Sequence, residues 1–183
     1  MNIQELCDMY CEGKRFKYIF FWGHHQKDTI TKTCFSQWYE CKFTAGGTEY
    51  HTAEQYMMAQ KAILFDDHEV LQKIMQADNP GEYKKLGRLI RHFDSDVWDK
   101  HKYNIVVSGN MAKFSQNPAL LDFLLKTGDK VLVEASPYDR IWGIGIPADA
   151  PDIENPFKWK GENLLGFALM EVRQKLSDGC FAE

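Results

Sequence analysis

Hydrophobic and polar positions along the chain fall into short blocks, each with its own boundary signals. Tyr18-Ile19-Phe20-Phe21-Trp22 is an unbroken apolar run, too short for a helix and stopped by Gly23, so it predicts a buried strand. Residues Glu40 to Thr44 and Thr48 to Tyr50 alternate weakly around Ala45-Gly46-Gly47, which predicts a hairpin. Helical blocks follow, each with a start signal. Thr52 with Gln55 three residues on is a capping-box pattern opening Ala53 to Phe65. Asn79-Pro80 with Glu82 opens a second helix, Ser95 is placed to cap a third from Asp96 to about Lys113, and Asn117-Pro118 opens a fourth over Ala119 to Lys126, ended by Gly128. Val131-Leu132-Val133 predicts a short strand, residues 146 to 160 a Pro-rich loop, and Gly161 to Leu176 the last helix. The first fifteen residues are polar and mixed, an arm or a short helix. Several helices around a few strands, without regular alternation, give an α+β fold class, mainly helical, with a single domain over 16–183. No GxGxxG follows a strand, which disfavours a dinucleotide-binding βαβ fold.

Composition narrows the function classes. The 183 residues carry 44% hydrophobic and 26% charged side chains, which excludes a disordered or collagen-like chain. No apolar run approaches the ~20 residues of a bilayer span, so no membrane partner is expected. The opening residues lack a basic, apolar, small-residue secretory pattern, and the five cysteines are an odd number. These features lead us to expect a non-secreted, cytoplasmic protein (nuclear if eukaryotic) with reduced thiols. Neither the cysteines nor the six histidines stand at metal-ligand spacing, so no metal and no cofactor are expected. The net charge of −4 argues against a protein that grips nucleic acid by its phosphates alone.

Three stretches carry candidate chemistry. In the first capped helix, seven residues turn about 700°, so Glu54 and Lys61 share a face about 10.5 Å apart along the axis, with Met57 and Met58 between them. This stripe suits either a boundary helix whose charges reach water or the wall of a pocket holding charges among apolar groups. The second stretch, Glu134 to Gly145, follows a predicted strand and contains Ser136, Asp139, Trp142 and Gly143. It is either a turn with Trp142 in the core or a loop whose glycines let main-chain N–H groups approach a phosphate or sugar. The third, Gly161-Glu162-Asn163-Leu164-Leu165-Gly166, offers helix-start donors to an anion, or an Asn cap and a close-packing glycine. Arg88 fits a phosphate fork or a surface ion pair, and Trp98 fits core or stacking platform.

Phe35-Ser36-Gln37-Trp38, the Thr52–Ala62 helix with Ala59-Gln60-Lys61, Leu86-Gly87-Arg88, Trp98, Leu132-Val133-Glu134, Trp142-Gly143 and Asn163-Leu164-Leu165-Gly166 together resemble the NADAR (YbiA-like) family, in the family's order over roughly residues 18 to 176. The resemblance implies a compact α+β fold and an N-glycosidase, a hydrolase of N-glycosyl bonds. It implies two substrate classes: ADP-ribose on guanine in DNA or RNA, and a ribosylamino-pyrimidine intermediate of riboflavin synthesis. The carry-over falls on Glu54 and Lys61, on Asp139 and Trp142, and more loosely on Gly23, Arg88, Trp98, Gly143 and Asn163. We assign Glu54, Lys61 and Asp139 to catalysis and Gly23, Arg88, Trp98, Ser136, Trp142, Gly143 and Asn163 to substrate binding. No obligatory protein partner is implied. A longer segment than in short bacterial members, Ile146 to Lys160 with Phe157 and Trp159, favours the larger ligand, ADP-ribose. A pocket without productive chemistry would instead make the chain a reader of ADP-ribose.

Breaking an N-glycosidic bond requires help for the leaving nitrogen and stabilisation of positive charge at C1. Glu54 or Asp139 suits the second task. Lys61 suits a covalent route through a Schiff base, or a point charge holding phosphate. Burial lowers a lysine pKa and a nearby carboxylate raises it, so the direction at Lys61 is left to the structure.

Overall fold

The computed structural model describes residues 1–180; the last three residues of the domain expected over 16–183 lie outside the described residues. In chain order the elements are α1 (Ile3–Cys11), β1 (Tyr18–Phe21), a 3-10 turn (Lys32–Phe35), β2 (Phe43–Ala45), β3 (Thr48–Tyr50), α2 (Ala53–Leu64), α3 (His68–Gln76), α4 (Pro80–Gly87), α5 (Ser95–Ser115), α6 (Pro118–Leu125), β4 (Val131–Glu134), a second 3-10 turn (Pro156–Lys158) and α7 (Leu164–Ser177). The class is α+β and mainly helical. The packing resolves two compact units, residues 1–36 with 119–180, and residues 37–118. Among the described residues no helix is long and apolar enough to cross a membrane.

The first unit is built on a parallel pair, β1 and β4, in register from Tyr18 opposite Val131 to Phe21 opposite Glu134. Only Phe21 of β1 is fully buried, and Trp22, expected in the strand, lies beyond it and is exposed. α7 lies against β4 at a spacing that admits no side chain. A Cβ on Gly166 would sit 2.1 Å from the Leu132 carbonyl oxygen. The core around the pair holds Phe21, Phe35, Leu124, Leu132, Ile144, Leu165 and Leu169. The first fifteen residues resolve into α1, whose start is a full capping box: Asn2 Oδ1 accepts from the Glu5 N–H and Glu5 accepts from the Asn2 N–H. Tyr10 of α1 meets Phe157 edge-on, with ring centroids 6.3 Å apart.

The second unit centres on α2, which packs against α3, α4 and α5. Thr52 caps α2 as expected, but Gln55 reaches back to the N–H of His51 instead of that of Thr52, and its amide also donates to the Ile74 carbonyl. The hairpin forms with a two-residue turn at Gly46-Gly47, both at positive φ, so Ala45 belongs to β2 and the strand begins only at Phe43. Three boundaries differ from expectation. Asp94, not Ser95, caps α5, because its carboxylate accepts from both the Asp96 and Val97 N–H groups. The Asn117 amide nitrogen donates to the Lys42 and Lys113 carbonyls, tying the end of α5 to the hairpin. In the first unit, α7 starts at Leu164 instead of Gly161, because Asn163 sits in the left-handed region with φ at 55°. The helix α3 was not anticipated; Asp67 caps it.

Candidate active site

α2 is buried almost all round, from Ala53 to Ala59 and again at Ala62. Glu54, Met57 and Met58 are buried and Lys61 is half-buried, so the stripe lies against protein and the boundary-helix reading does not fit Glu54, although Ile63 on the same helix is exposed. Glu54 is 4% exposed in the first turn, and its N–H donates to the Gln37 carbonyl at 2.9 Å. The Gln37 side chain accepts from Asn110 of α5 at 2.8 Å, so a buried amide chain from α5 holds the segment on which Glu54 rests. Met58 fills the space above Gly87, where a Cβ would fall 2.0 Å from its sulfur.

Lys61 stands two turns further on and is half-buried. Its ammonium donates to the Gly87 carbonyl at 2.9 Å and lies over the ring of Phe93 at 4.2 Å and that of Trp98 at 5.4 Å. Burial holds the Lys61 amine below the ordinary lysine value, which answers the direction left open by the sequence. Among the described residues the amine forms no ion pair with a carboxylate that would oppose this lowering. Trp98 is therefore a neighbour of Lys61 rather than core, and Arg88 follows Gly87 on the exposed end of α4. Phe93, the closest ring to the amine, was not singled out from the sequence, where nothing but its position two residues before α5 marks it.

The strand-end cluster belongs to the first unit. β1 and β4 run parallel, so Gly23 and the loop after Glu134 leave the sheet at the same end. Gly23 has φ of +82° with open space where a side chain would be. Asp139 Oδ1 accepts from the N–H groups of Ile141 and Trp142 at 2.9 and 2.8 Å, which closes the turn that sets Trp142. Ser136 is buried and its hydroxyl accepts from the Tyr138 N–H at 3.3 Å. A Cβ on Gly143 would meet the Glu134 carbonyl at 2.8 Å, so this glycine serves close packing of the loop on the strand.

Asn163 is 0% exposed and both ends of its amide are engaged: Oδ1 accepts from the Glu134 N–H at 2.9 Å and Nδ2 donates to the Leu132 carbonyl at 2.9 Å. Of the two readings of the α7 start, the anion site does not form, because the protein itself takes the donors. The N–H groups of Glu162, Asn163, Leu164 and Leu165 donate to the carbonyls of Arg140, Gly143, Ile141 and Trp142. The loop folds over the helix start and its own carbonyls take the donors. Among the described residues no three His, Cys, Asp or Glu side chains gather to hold a metal.

The NADAR domain matches residues 20–177 of this chain. An N-glycosidase of Acanthamoeba polyphaga mimivirus is 48% identical over 164 residues, covering 87% of this chain and 96% of that protein. A riboflavin biosynthesis protein of Vibrio vulnificus is 31% identical over 143 residues, covering 78% of this chain and 35% of the relative. The NMR structure of the E. coli protein YbiA superposes with a TM-score of 0.71 at 27% identity, over 91% of this chain and 88% of that one. The buried acid–amine helix, the glycine-packed strand-end loop and the Asn163 clamp thus sit in a chain that belongs to the NADAR family.

Proposed function

We propose that this chain is an N-glycosidase that removes ADP-ribose from guanine bases of nucleic acid, with Lys61 forming a Schiff base to the sugar. The coarser part, hydrolysis of N-glycosyl bonds, is the activity for which the mimiviral relative is named. The observation that carries the mechanism is the Lys61 amine, held over two aromatic rings and lowered in pKa by burial. The neutral amine attacks C1 through its lone pair while the C1–N bond pair leaves with the base, which takes a proton from a carboxylic acid. The C1–O bond of the ring then opens, its electron pair going to the oxygen, and C1 becomes an imine carbon on Nζ. Water adds to C1 and gives up a proton, the amine takes a proton and leaves with the C1–Nζ bond pair as C1 becomes an aldehyde, and the ring hydroxyl then adds to that aldehyde to close the sugar.

Glu54 is the proposed acid and electrostatic partner, and Asp139 is the other carboxylate candidate. The residues proposed for ligand binding are Trp98 and Arg88 near Lys61 in the second unit, and Gly23, Ser136, Trp142 and Gly143 at the strand-end loops of the first. Asn163 supports those loops through its two main-chain bonds. The segment 146–160 supports the larger ligand. Its Trp159 is tied inward by a 2.7 Å bond to the Ile153 carbonyl, while Phe157 stays 56% exposed.

A second reading, hydrolysis of a ribosylamino-pyrimidine intermediate of riboflavin synthesis, is favoured by the Vibrio relative. The test offers the protein an ADP-ribosyl-guanine oligonucleotide and the pyrimidine intermediate in parallel, with chromatography of the products. Loss of ADP-ribose from the guanine of the oligonucleotide is expected. Release of the pyrimidine alone favours the second reading, and binding of ADP-ribose without any release makes the chain a reader.

A further inference from the structure

The exposed aromatic pair at the end of the parallel strands is not used by the mechanism. Beyond the last register pair, Phe21 opposite Glu134, the Ala135 N–H still donates to the Phe21 carbonyl at 2.8 Å, so both chains leave the sheet side by side. They present Trp22, 54% exposed, and Tyr138, 87% exposed, with ring centroids 6.2 Å apart and planes at 55°. Rings of this size usually bury most of their area in a core or an interface, and these two touch each other with their outer faces open. Cations stand on the same loop. A Cβ on Gly145 would meet Arg140 Cγ at 3.0 Å and Lys160 Cβ at 3.2 Å, so these two basic side chains set out as neighbours. Both residues are exposed, and among the described residues neither forms an ion pair. His25 and Lys27, also exposed, follow Trp22. In a chain of net charge −4, the unpaired Arg140 and Lys160 side chains on the connection that carries Tyr138 are a selective feature.

We infer that Trp22 and Tyr138 form a stacking shelf for single-stranded nucleic acid, with Arg140 and Lys160 meeting its phosphates. Stacked aromatics beside cations suit an unpaired strand because every base offers a π-face and every linkage a negative charge. The inference rests on the nucleic-acid reading of the substrate and extends it. The enzyme would hold other bases of the strand that carries the modified nucleotide, and a free nucleoside would gain nothing from the shelf.

The experiment has two arms, on wild type, Tyr138→Ala, Trp22→Ala, the double variant Arg140→Gln/Lys160→Gln and the ring-keeping Tyr138→Phe. The first arm titrates an unmodified, fluorescently labelled oligothymidylate and follows anisotropy at two salt concentrations. Wild type and Tyr138→Phe should bind weakly and alike, each alanine variant at least about 5-fold more weakly, and the double variant with a shallower salt dependence. The second arm compares ADP-ribosyl-guanine in an oligonucleotide with ADP-ribosyl-guanosine. The alanine variants should raise KM for the oligonucleotide alone and leave kcat unchanged. Equal oligothymidylate binding by all variants overturns the shelf whatever the activity. Equal losses on both substrates also overturn it. Loss of binding in the first arm with no guanine substrate cleaved by any variant leaves the shelf standing and removes the proposed substrate.

Discussion

Asn163→Ala separates a structural clamp from a ligand contact. In the folded chain the amide joins the Glu134 N–H and the Leu132 carbonyl, each at 2.9 Å, with Asn163 at 0% exposure and φ of 55°. Truncation strands both main-chain groups, at about 1–3 kcal/mol each. It also puts alanine in the left-handed region, which costs about 1–2 kcal/mol more than a favourable φ. The range is therefore about 3–8 kcal/mol. Glu134 is only half-buried, so water reaches part of the site, and the lower half, about 3–5 kcal/mol, is the expected loss. That is a large share of the roughly 5–15 kcal/mol that stabilises an ordinary domain. Urea unfolding followed by tryptophan fluorescence measures it. Asn163→Asp should fall between wild type and alanine, because a carboxylate still accepts from Glu134 but sets an oxygen against the Leu132 carbonyl. In the folded fraction KM should stay within about 3-fold of wild type, well under the tenfold that 1.4 kcal/mol represents. A stability loss below about 1 kcal/mol together with a raised KM would refute the clamp, since one lost hydrogen bond alone is worth that much.

Four further outcomes follow from the geometry. Glu54→Gln should lower turnover by at least about 100-fold, the low end of general acid–base contributions; a fully active variant transfers the role to Asp139, whose Asp139→Asn counterpart is assayed beside it. Gly166→Ala should destabilise the protein by about 1–3 kcal/mol or more, because its Cβ would fall 2.1 Å from a main-chain oxygen. Gly81→Ala, whose nearest neighbour is a side-chain atom at 3.4 Å, should stabilise α4 by up to about 1 kcal/mol, and thermal unfolding of the pair checks both. Because burial lowers the Lys61 pKa, the neutral amine should accumulate as pH rises, giving kcat an alkaline-rising limb centred below the roughly 10.4 of a free lysine; a flat profile from pH 6 to about 10 would contradict it.

The legible parts of this fold are those with local chemistry. Thr52, Asn79 and the Gly46-Gly47 turn announce α2, α4 and the hairpin because a cap or a positive φ is decided within four residues. α3 was missed although Asp67 precedes Val70 and Ile74 at helical spacing. The carboxylate is shared with Arg91 from beyond α4, and nine residues gain their stability by packing on α2 and α4. α1 carried its signal in Asn2 and Glu5, hidden by the polar composition around them. The stripe from Glu54 to Lys61 was legible as a face, but its burial depends on three other helices. Least legible was the start of α7. Its donors read as open in the sequence, and only folding brings the carbonyls of Arg140 to Gly143 onto them. Phe93 was invisible for the same reason, since its nearness to Lys61 is set by how α5 approaches α2.

The central claim is that the Lys61 amine becomes covalently attached to the sugar during turnover. Borohydride added while ADP-ribosyl-guanine oligonucleotide is being consumed should fix an adduct of the mass of reduced ADP-ribose on the peptide containing Lys61. Lys61→Arg keeps the charge but forms no imine, so it should give neither adduct nor product. Full activity in Lys61→Arg, or turnover by the wild type with no adduct on Lys61 under borohydride, would contradict the account.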